Sequence, residues 1–496
     1  MKNNHSITKF FSNSIDLLLK QNYAIDWDKR ISECEKQKTY YQPLRSPMFI
    51  GNTDIEQQFE LFNQLTLQFY NVLDDIPQLA KNSLELVKSQ YNGNNFFESI
   101  CVAEDIYNST KSILEIDGQK IMTTLFNVND YLGLSKDKMV MAASIAATSM
   151  YGTGGLGSRL LRGTTELHVM LEQSLTKFKG LDTKKNIDTI TLPSGYMANL
   201  TLMSIIRDGK GTIVLDKKAH QSLLDGCQLS MKTGLEVKRF KHNDIDHVKE
   251  IVKRIRKNRK SSHKICIVID GVYSMSGELA PLTELRDIAI RYDCFIVLDD
   301  AHSTGTVGDK GRGTLEFFNI YDWENHFIIM GTLGKSLGSV GGFITARADI
   351  IRILKYASHQ IMFSTALTPP TLATALTALK IIENNSSIVK RLQRNAKYLK
   401  KGLTNLGFKT GNSQTHIIPV ITGRGDKKYS EKDDILTIKL SNHIRRKGYY
   451  APPILRPAVK AQRLRASVSA KHTIEQIDGF LKALKEGKEK ILNSKA

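Results

Sequence analysis

The pattern of hydrophobic and polar positions changes texture near residue 115. Before it, Phe59, Phe62, Leu65, Phe69, Leu73, Ile76, Leu79 and Leu86 recur at near-helical spacing. Residues 1–115 therefore read as a helical N-terminal extension, and they carry no catalytic motif. From about residue 117, short apolar, β-branched runs alternate with helical stretches and glycine-bearing turns. The predicted strands are Ile187–Leu192, Thr212–Leu215, Leu235–Phe240, Ile265–Ile269, Phe295–Leu298, Phe327–Met330 and Gly342–Thr345. Runs apolar on both faces suit a parallel or mostly parallel sheet covered by helices on each side. The intervening helical stretches complete βαβ units, so the fold class is α/β. Pro369 and Pro370 cannot sit inside a regular helix and mark a boundary. A helical stretch, Thr371–Leu406, and two further strands, Ile417–Ile421 and Leu464–Val468, follow. The predicted division is an extension at 1–115, a large domain at 116–365 with an arm at 116–134, and a small α+β domain at 366–496.

Composition narrows the class. A chain of 496 residues, 41% hydrophobic and 24% charged, is globular and spans more than one domain. Five scattered cysteines, Cys34, Cys101, Cys227, Cys266 and Cys294, form no CxxC pair. That argues against a disulfide framework and a thiolate metal site and for a reducing compartment. No apolar run reaches the roughly 18 residues that cross a bilayer, and no secretory signal opens the chain, so the expectation is cytoplasmic. The net charge of +20 invites a nucleic-acid reading, yet residues 1–115 hold 11 Lys and Arg against 15 Asp and Glu. The basicity therefore lies in the body. Its densest run, Lys253–Lys264 (KRIRKNRKSSHK), has no interleaved aromatic residues and reads as a solvated helix end and loop, not a stacking platform. A basic body suits a polyanionic small molecule better than a duplex.

In α/β sheets, ligands sit beyond the carboxyl ends of the strands. There the chain places Pro193-Ser194-Gly195-Tyr196, then Asp216 with His220, then Asp270 with Ser274. Next come Asp299-Asp300-Ala301-His302 and finally Gly331-Thr332-Leu333-Gly334-Lys335-Ser336-Leu337-Gly338. The last stretch is not a nucleotide phosphate loop, because Ile329 stands where that loop needs its first glycine. A lysine after a buried strand, flanked by small residues that admit a ring, suits covalent capture of a carbonyl instead. Pyridoxal phosphate needs such a lysine, an acid against its pyridinium nitrogen and an anion pocket. Lys335 supplies the first and Asp299 the second. Gly195 and Tyr196, at a helix start, supply the third with Thr332. His302 and Ser274 are placed to reach the phenolic oxygen, and His220 to stack on the ring.

The stretch from about Asn129 to Val468 resembles the α-oxoamine synthase family of fold-type I pyridoxal phosphate enzymes. The matching segments include NDYLGLS (Asn129–Ser135), YGTGGLGSRLLRGTTELHVMLE (Tyr151–Glu172), SGYMAN (Ser194–Asn199), DKKAHQSLLDG (Asp216–Gly226) and HND (His242–Asp244). DGVYSMSGELAPL (Asp270–Leu282), VLDDAHSTGTVGDKGRG (Val297–Gly313), GTLGKSLG and RLRASVSA (Arg463–Ala470) complete the set. The resemblance implies that Asn129 and Arg465 bind the amino-acid carboxylate, for which a guanidinium fork is suited. It also implies a homodimer with Gly152–Gly163 near the subunit boundary, and catalysis by Lys335, His220, His302 and Asp299. The reaction implied is condensation of a small amino acid (alanine, serine or glycine) with acyl-CoA, or with an acyl carrier protein thioester, with loss of carbon dioxide. Aminotransfer on the same fold is the alternative. Two departures stand out: over 120 residues precede Asn129, and Ala458 falls about where biotin-pathway members carry a threonine. The extension could cap an acyl chain, dock a partner or rest on a membrane.

Overall fold

The computed structural model describes residues 101–492, apart from 105–108, 117–118, 182–185, 206–210, 232–234, 260–262, 424–430 and 457. The helical reading of residues 1–100 lies outside the described residues. Cys101–Ala496 forms one compact unit. Its first strands correct the helical reading of residues 101–115. β1 (Cys101–Glu104), β2 (Lys111–Ile116) and β3 (Gln119–Leu125) are antiparallel neighbours. Ser112 and Leu114 are buried while Ile113 between them is half-buried, a period-two pattern too short to stand out in the sequence.

A seven-stranded sheet forms the centre. It contains β4 (Ile187–Leu192), β5 (Gly211–Asp216), β6 (Glu236–Phe240), β7 (Lys264–Asp270), β8 (Phe295–Asp299), β9 (Phe327–Thr332) and β10 (Gly342–Arg347). The spatial order is β4-β10-β9-β8-β7-β5-β6. Only β10 runs against its neighbours, so the other six strands end at the same edge. Side chains alternate across the sheet and feed two cores. Ile267, Ile269, Ile296 and Leu298 pack with helices Ile245–Asn258 and Leu282–Tyr292 on one face. Val268, Val297 and Met330 pack with helices Gly195–Ile205 and Gln221–Met231 on the other. Burial on both faces explains why these strands read as unbroken apolar runs.

After the sheet, Pro369 and Pro370 open the helix Pro369–Asn384, as first-turn prolines with no amide to pair can. The predicted stretch Thr371–Leu406 is two helices, that one and Ser387–Asn405. β11 (Ile417–Ile421), β12 (Tyr449–Tyr450), β13 (Pro453–Ile454) and β14 (Arg463–Ser467) follow. β14 is central in a three-stranded antiparallel sheet with β11 and β13. β12 joins β3 in parallel, which ties the 116–134 arm to the C-terminal elements. The basic run at 253–259 ends a helix. Arg256 there donates to the carbonyls of His263, Tyr292 and Asp293 at 2.5, 2.7 and 2.5 Å, a loop-fixing arrangement. Among the described residues, no helix is long and apolar enough to cross a membrane.

Candidate active site

Lys335 follows β9 in a turn closed by its own backbone. Leu333 N–H donates to Gly341 O at 2.9 Å, Gly338 N–H to Lys335 O at 2.9 Å and Ser339 N–H to Leu333 O at 3.0 Å. The turn sets Lys335 Nζ 2.9 Å from His302 Nε2. The other ring nitrogen of His302 lies 2.8 Å from Tyr131 Oη, and that phenol donates to Asn129 Oδ1 at 3.3 Å. Burial, reinforced by the charges of Lys335 and Arg465, holds His302 well below the usual histidine range. Its ring is therefore neutral and offers one lone pair and one N–H. The consistent arrangement has the lysine donating to Nε2 and Nδ1–H donating to Tyr131. Burial also brings the Lys335 amine down to about 8, with Asp299 and Asp270 opposing and Arg465 assisting. An amine so lowered is partly free base near neutral pH and can act as nucleophile or base.

Asp270 and Asp299 end β7 and β8 directly side by side. Asp299 accepts from Asn199 Nδ2 at 2.7 Å and from the amide of Ala301 at 3.0 Å. Asp270 accepts the amide of His220 at 3.1 Å. Burial, then the neighbouring charge of Asp299, pushes the Asp270 carboxyl well above the carboxylate range. Asn199 also donates to Ser222 Oγ at 2.9 Å, and Ser222 Oγ lies 2.7 Å from His220 Nδ1. A continuous polar chain thus runs from Asp299 to His220. Asp300, one residue on, points to the opposite face and pairs with buried Lys179 at 2.6 Å.

The helix Gly195–Ile205 begins at the end of β4, capped by Ser194 Oγ accepting from Met197 N–H at 3.1 Å. Its first-turn amides have no acceptor within the helix, which makes this end an anion site. A Cβ at Gly195 would stand 3.3 Å from Thr332, so glycine preserves space between the helix and β9. Tyr196 turns its ring outward and bonds Asp225, leaving its backbone as its contribution. Arg465, buried on β14, donates through Nε to the carbonyl of Ser274 at 2.6 Å. Ser274 meets Arg465 through its backbone, and Asn129 meets Tyr131.

The structure thus joins Lys335, His302 and Asn129 in one hydrogen-bonded chain, Asp299 and His220 in another, and Ser274 with Arg465. Tyr131, Asn199, Ser222 and Asp270 were not singled out for roles from sequence. All four lie inside quoted motifs, and Asp270 also stands at a strand end. Pairing the ends of β7 and β8 would have exposed the two adjacent carboxylates.

Residues 121–484 match the family model described as aminotransferase class I and II. A serine palmitoyltransferase from Sphingobacterium spiritivorum is 34% identical over 365 residues, 73% of this chain and 85% of that one. An 8-amino-7-oxononanoate synthase from Thermoanaerobacter pseudethanolicus is 33% identical over 374 residues, 75% of this chain and 88% of that one. The chain belongs to the α-oxoamine synthase family. A solved serine palmitoyltransferase holding pyridoxal phosphate overlays on this α-oxoamine synthase with a TM-score of 0.72 and 28% identity, covering 84% of this chain and 98% of that one. It is therefore a pyridoxal phosphate-dependent acyltransferase that joins an amino acid to an acyl thioester. The residues present fit that cofactor: a lysine near its neutral form, a buried carboxylate braced by an amide, and a helix start with room beside Gly195.

Proposed function

We propose that this enzyme condenses alanine, serine or glycine with an acyl-CoA and releases carbon dioxide and CoA, giving an α-amino ketone. The observation that carries the reading is the chain Lys335–His302–Tyr131–Asn129 beside Asp299, within reach of the charge of Arg465. Pyridoxal phosphate, when bound, supplies an aldehyde for the substrate amine and a ring that accepts the electron pair left on Cα. Lys335 holds the cofactor between turnovers and takes the Cα proton. Asp299 would keep the cofactor's ring nitrogen protonated, and His220, His302 and Ser274 would help to hold the ring and its phenolic oxygen. The amides of Gly195 and Tyr196, with Thr332, hold the phosphate. Arg465 and Asn129 orient the amino-acid carboxylate, fixing which Cα bond aligns with the ring.

The catalytic body is 116–365, with 366–496 supplying Arg465. A homodimer is the assembly: Leu161, within the glycine-rich Gly152–Gly163 loop, and Phe363, near it, are 87% and 79% exposed, as befits a face a second copy covers. The basic body suits the phosphates of CoA. An acyl carrier protein donor would keep the same carbon chemistry.

The test is the visible absorption of the purified protein titrated with glycine, L-alanine and L-serine, followed by acyl-CoA and assay of released thiol. One amino acid should shift the band, and thiol release should require both substrates. Turnover with a keto acid and no thioester would support aminotransfer instead. Lys335→Ala should lower turnover at least about a thousandfold, and unchanged product formation would overturn the assignment.

A further inference from the structure

The segment His242-Asn243-Asp244 lies between β6 and the helix Ile245–Asn258, away from the groups assigned to chemistry. Each residue has a distinct partner set. Asp244 caps the helix by accepting the His247 amide at 2.9 Å. Asn243, at a left-handed φ of 52°, donates its amide to Asp216 Oδ2 at 3.0 Å and its side chain to Leu279 O at 3.1 Å. His242 sits between two carboxylates. Nδ1 lies 3.1 Å from Asp216 Oδ1, and Nε2 lies 3.0 Å from Glu278 Oε2. A neutral imidazole has one N–H, so it can donate to only one of them and must turn a lone pair toward the other. Donation to both requires the imidazolium.

The two carboxylates belong to two loops that carry the site. Asp216 ends β5 and, through bonds to its own loop at Lys218 and Ala219, shapes the path to His220. Glu278 lies in the 271–280 loop, whose Ser274 and Met275 carbonyls receive Arg465 and Arg463. Tyr273 of that loop packs edge-on against the His242 ring at 4.3 Å. We infer that His242 is a positioning residue that, as an imidazolium, ties the His220 loop to the loop that holds Arg465. It is a cross-brace between the group facing the cofactor and the group facing the substrate carboxylate, and it rests on the assignments of the preceding subsection.

The other charged and titratable neighbours are Lys218, 3.2 Å from Glu278, and the phenol of Tyr273. Burial disfavours the cation, but Asp216 and Glu278 outweigh it and raise His242 above the ordinary histidine value, with Lys218 opposing. The sign follows. The brace is complete below the ordinary histidine pKa and is lost as pH rises through the raised one.

The test uses the full-length holoenzyme. His242→Gln should keep the cofactor band while raising KM for the responsive amino acid, probed with L-serine, L-alanine and glycine, at least tenfold and changing kcat less than threefold. Nitrogen-15 histidine spectra of the wild type should show one ring, absent from the variant, retaining both N–H groups above pH 6.5. KM within twofold of wild type, or a His242 ring with a single N–H at pH 6.5, would overturn the proposal. If His242→Gln fails to fold, Glu278→Gln removes one of the two flanking negative charges and carries the same KM and ring-titration comparison. A wild type unresponsive to all three amino acids would break the functional reading, while the ring titration would still decide the brace.

Discussion

His302 and His242 both lie among titratable partners, yet those partners favour different charge states. His302 is buried between an amine and a phenol, with Lys335 and Arg465 supplying positive potential, and is held neutral. His242 lies between Asp216 and Glu278, and both favour its charged form. Burial pushes both toward the neutral form, buried His302 more than half-buried His242, so its direction does not distinguish them. The sign of the partners does. A neutral histidine can pass a proton between its nitrogens, which suits the neighbourhood of Lys335. A charged one has no lone pair to offer and serves as a double donor, which suits a brace.

The sharpest way to break this contrast is to remove each ring in turn. His302→Phe should lower kcat by about a hundredfold, the lower end expected for a group that handles protons at the reacting centre. Steady-state rates checked beside His242→Gln decide it, since the latter should act on KM. Equal kcat losses in both would erase the distinction. A smaller effect comes from pH. The Lys335 pKa is lowered to about 8, so the free amine is a minor form at pH 7 and the major form at pH 9. Apoprotein freed of cofactor should therefore recapture pyridoxal phosphate about tenfold faster at pH 9 than at pH 7, then level off. A rate still climbing at pH 10, followed by the visible band, would return Lys335 to an ordinary lysine.

Most of the candidate groups were legible in the sequence because they sit immediately after strands. Lys335, Asp299 and His302 each follow a run whose two-sided burial makes it unmistakably apolar. What it hid depends on neighbours across strands. Asp270 matters through its register with Asp299, and Tyr131 through a bond to His302 across 171 residues. The HND segment was visible as a motif, but its use depends on Asp216 and Glu278 closing from two other loops. The strands at 101–116 escaped for a related reason. β2 is only six residues long, and β3 gains its other neighbour from β12, more than 300 residues later. Pro369 and Pro370 were correctly read as excluded from a helix interior, and the helix simply begins with them.

The finest test concerns how the neutral histidine is kept in register. Tyr131 meets His302 Nδ1 at 2.8 Å and packs its ring against His416 at 4.0 Å, so the phenol is fixed on two sides. If Nδ1–H donates to Oη, Tyr131 selects the tautomer that leaves Nε2 free to face Lys335. Tyr131→Phe keeps the ring packing and deletes that acceptor together with the phenol's bond to Asn129. Losing the bond to His302 should cost about 1 kcal/mol, or roughly a fivefold fall in kcat with cofactor still bound. The same deletion leaves the His242 brace untouched but frees Asn129, so KM for the amino acid should rise less than the tenfold of His242→Gln. A fall in kcat as large as that of His302→Phe would mean that the phenol itself moves a proton and that Tyr131 belongs with the reacting groups.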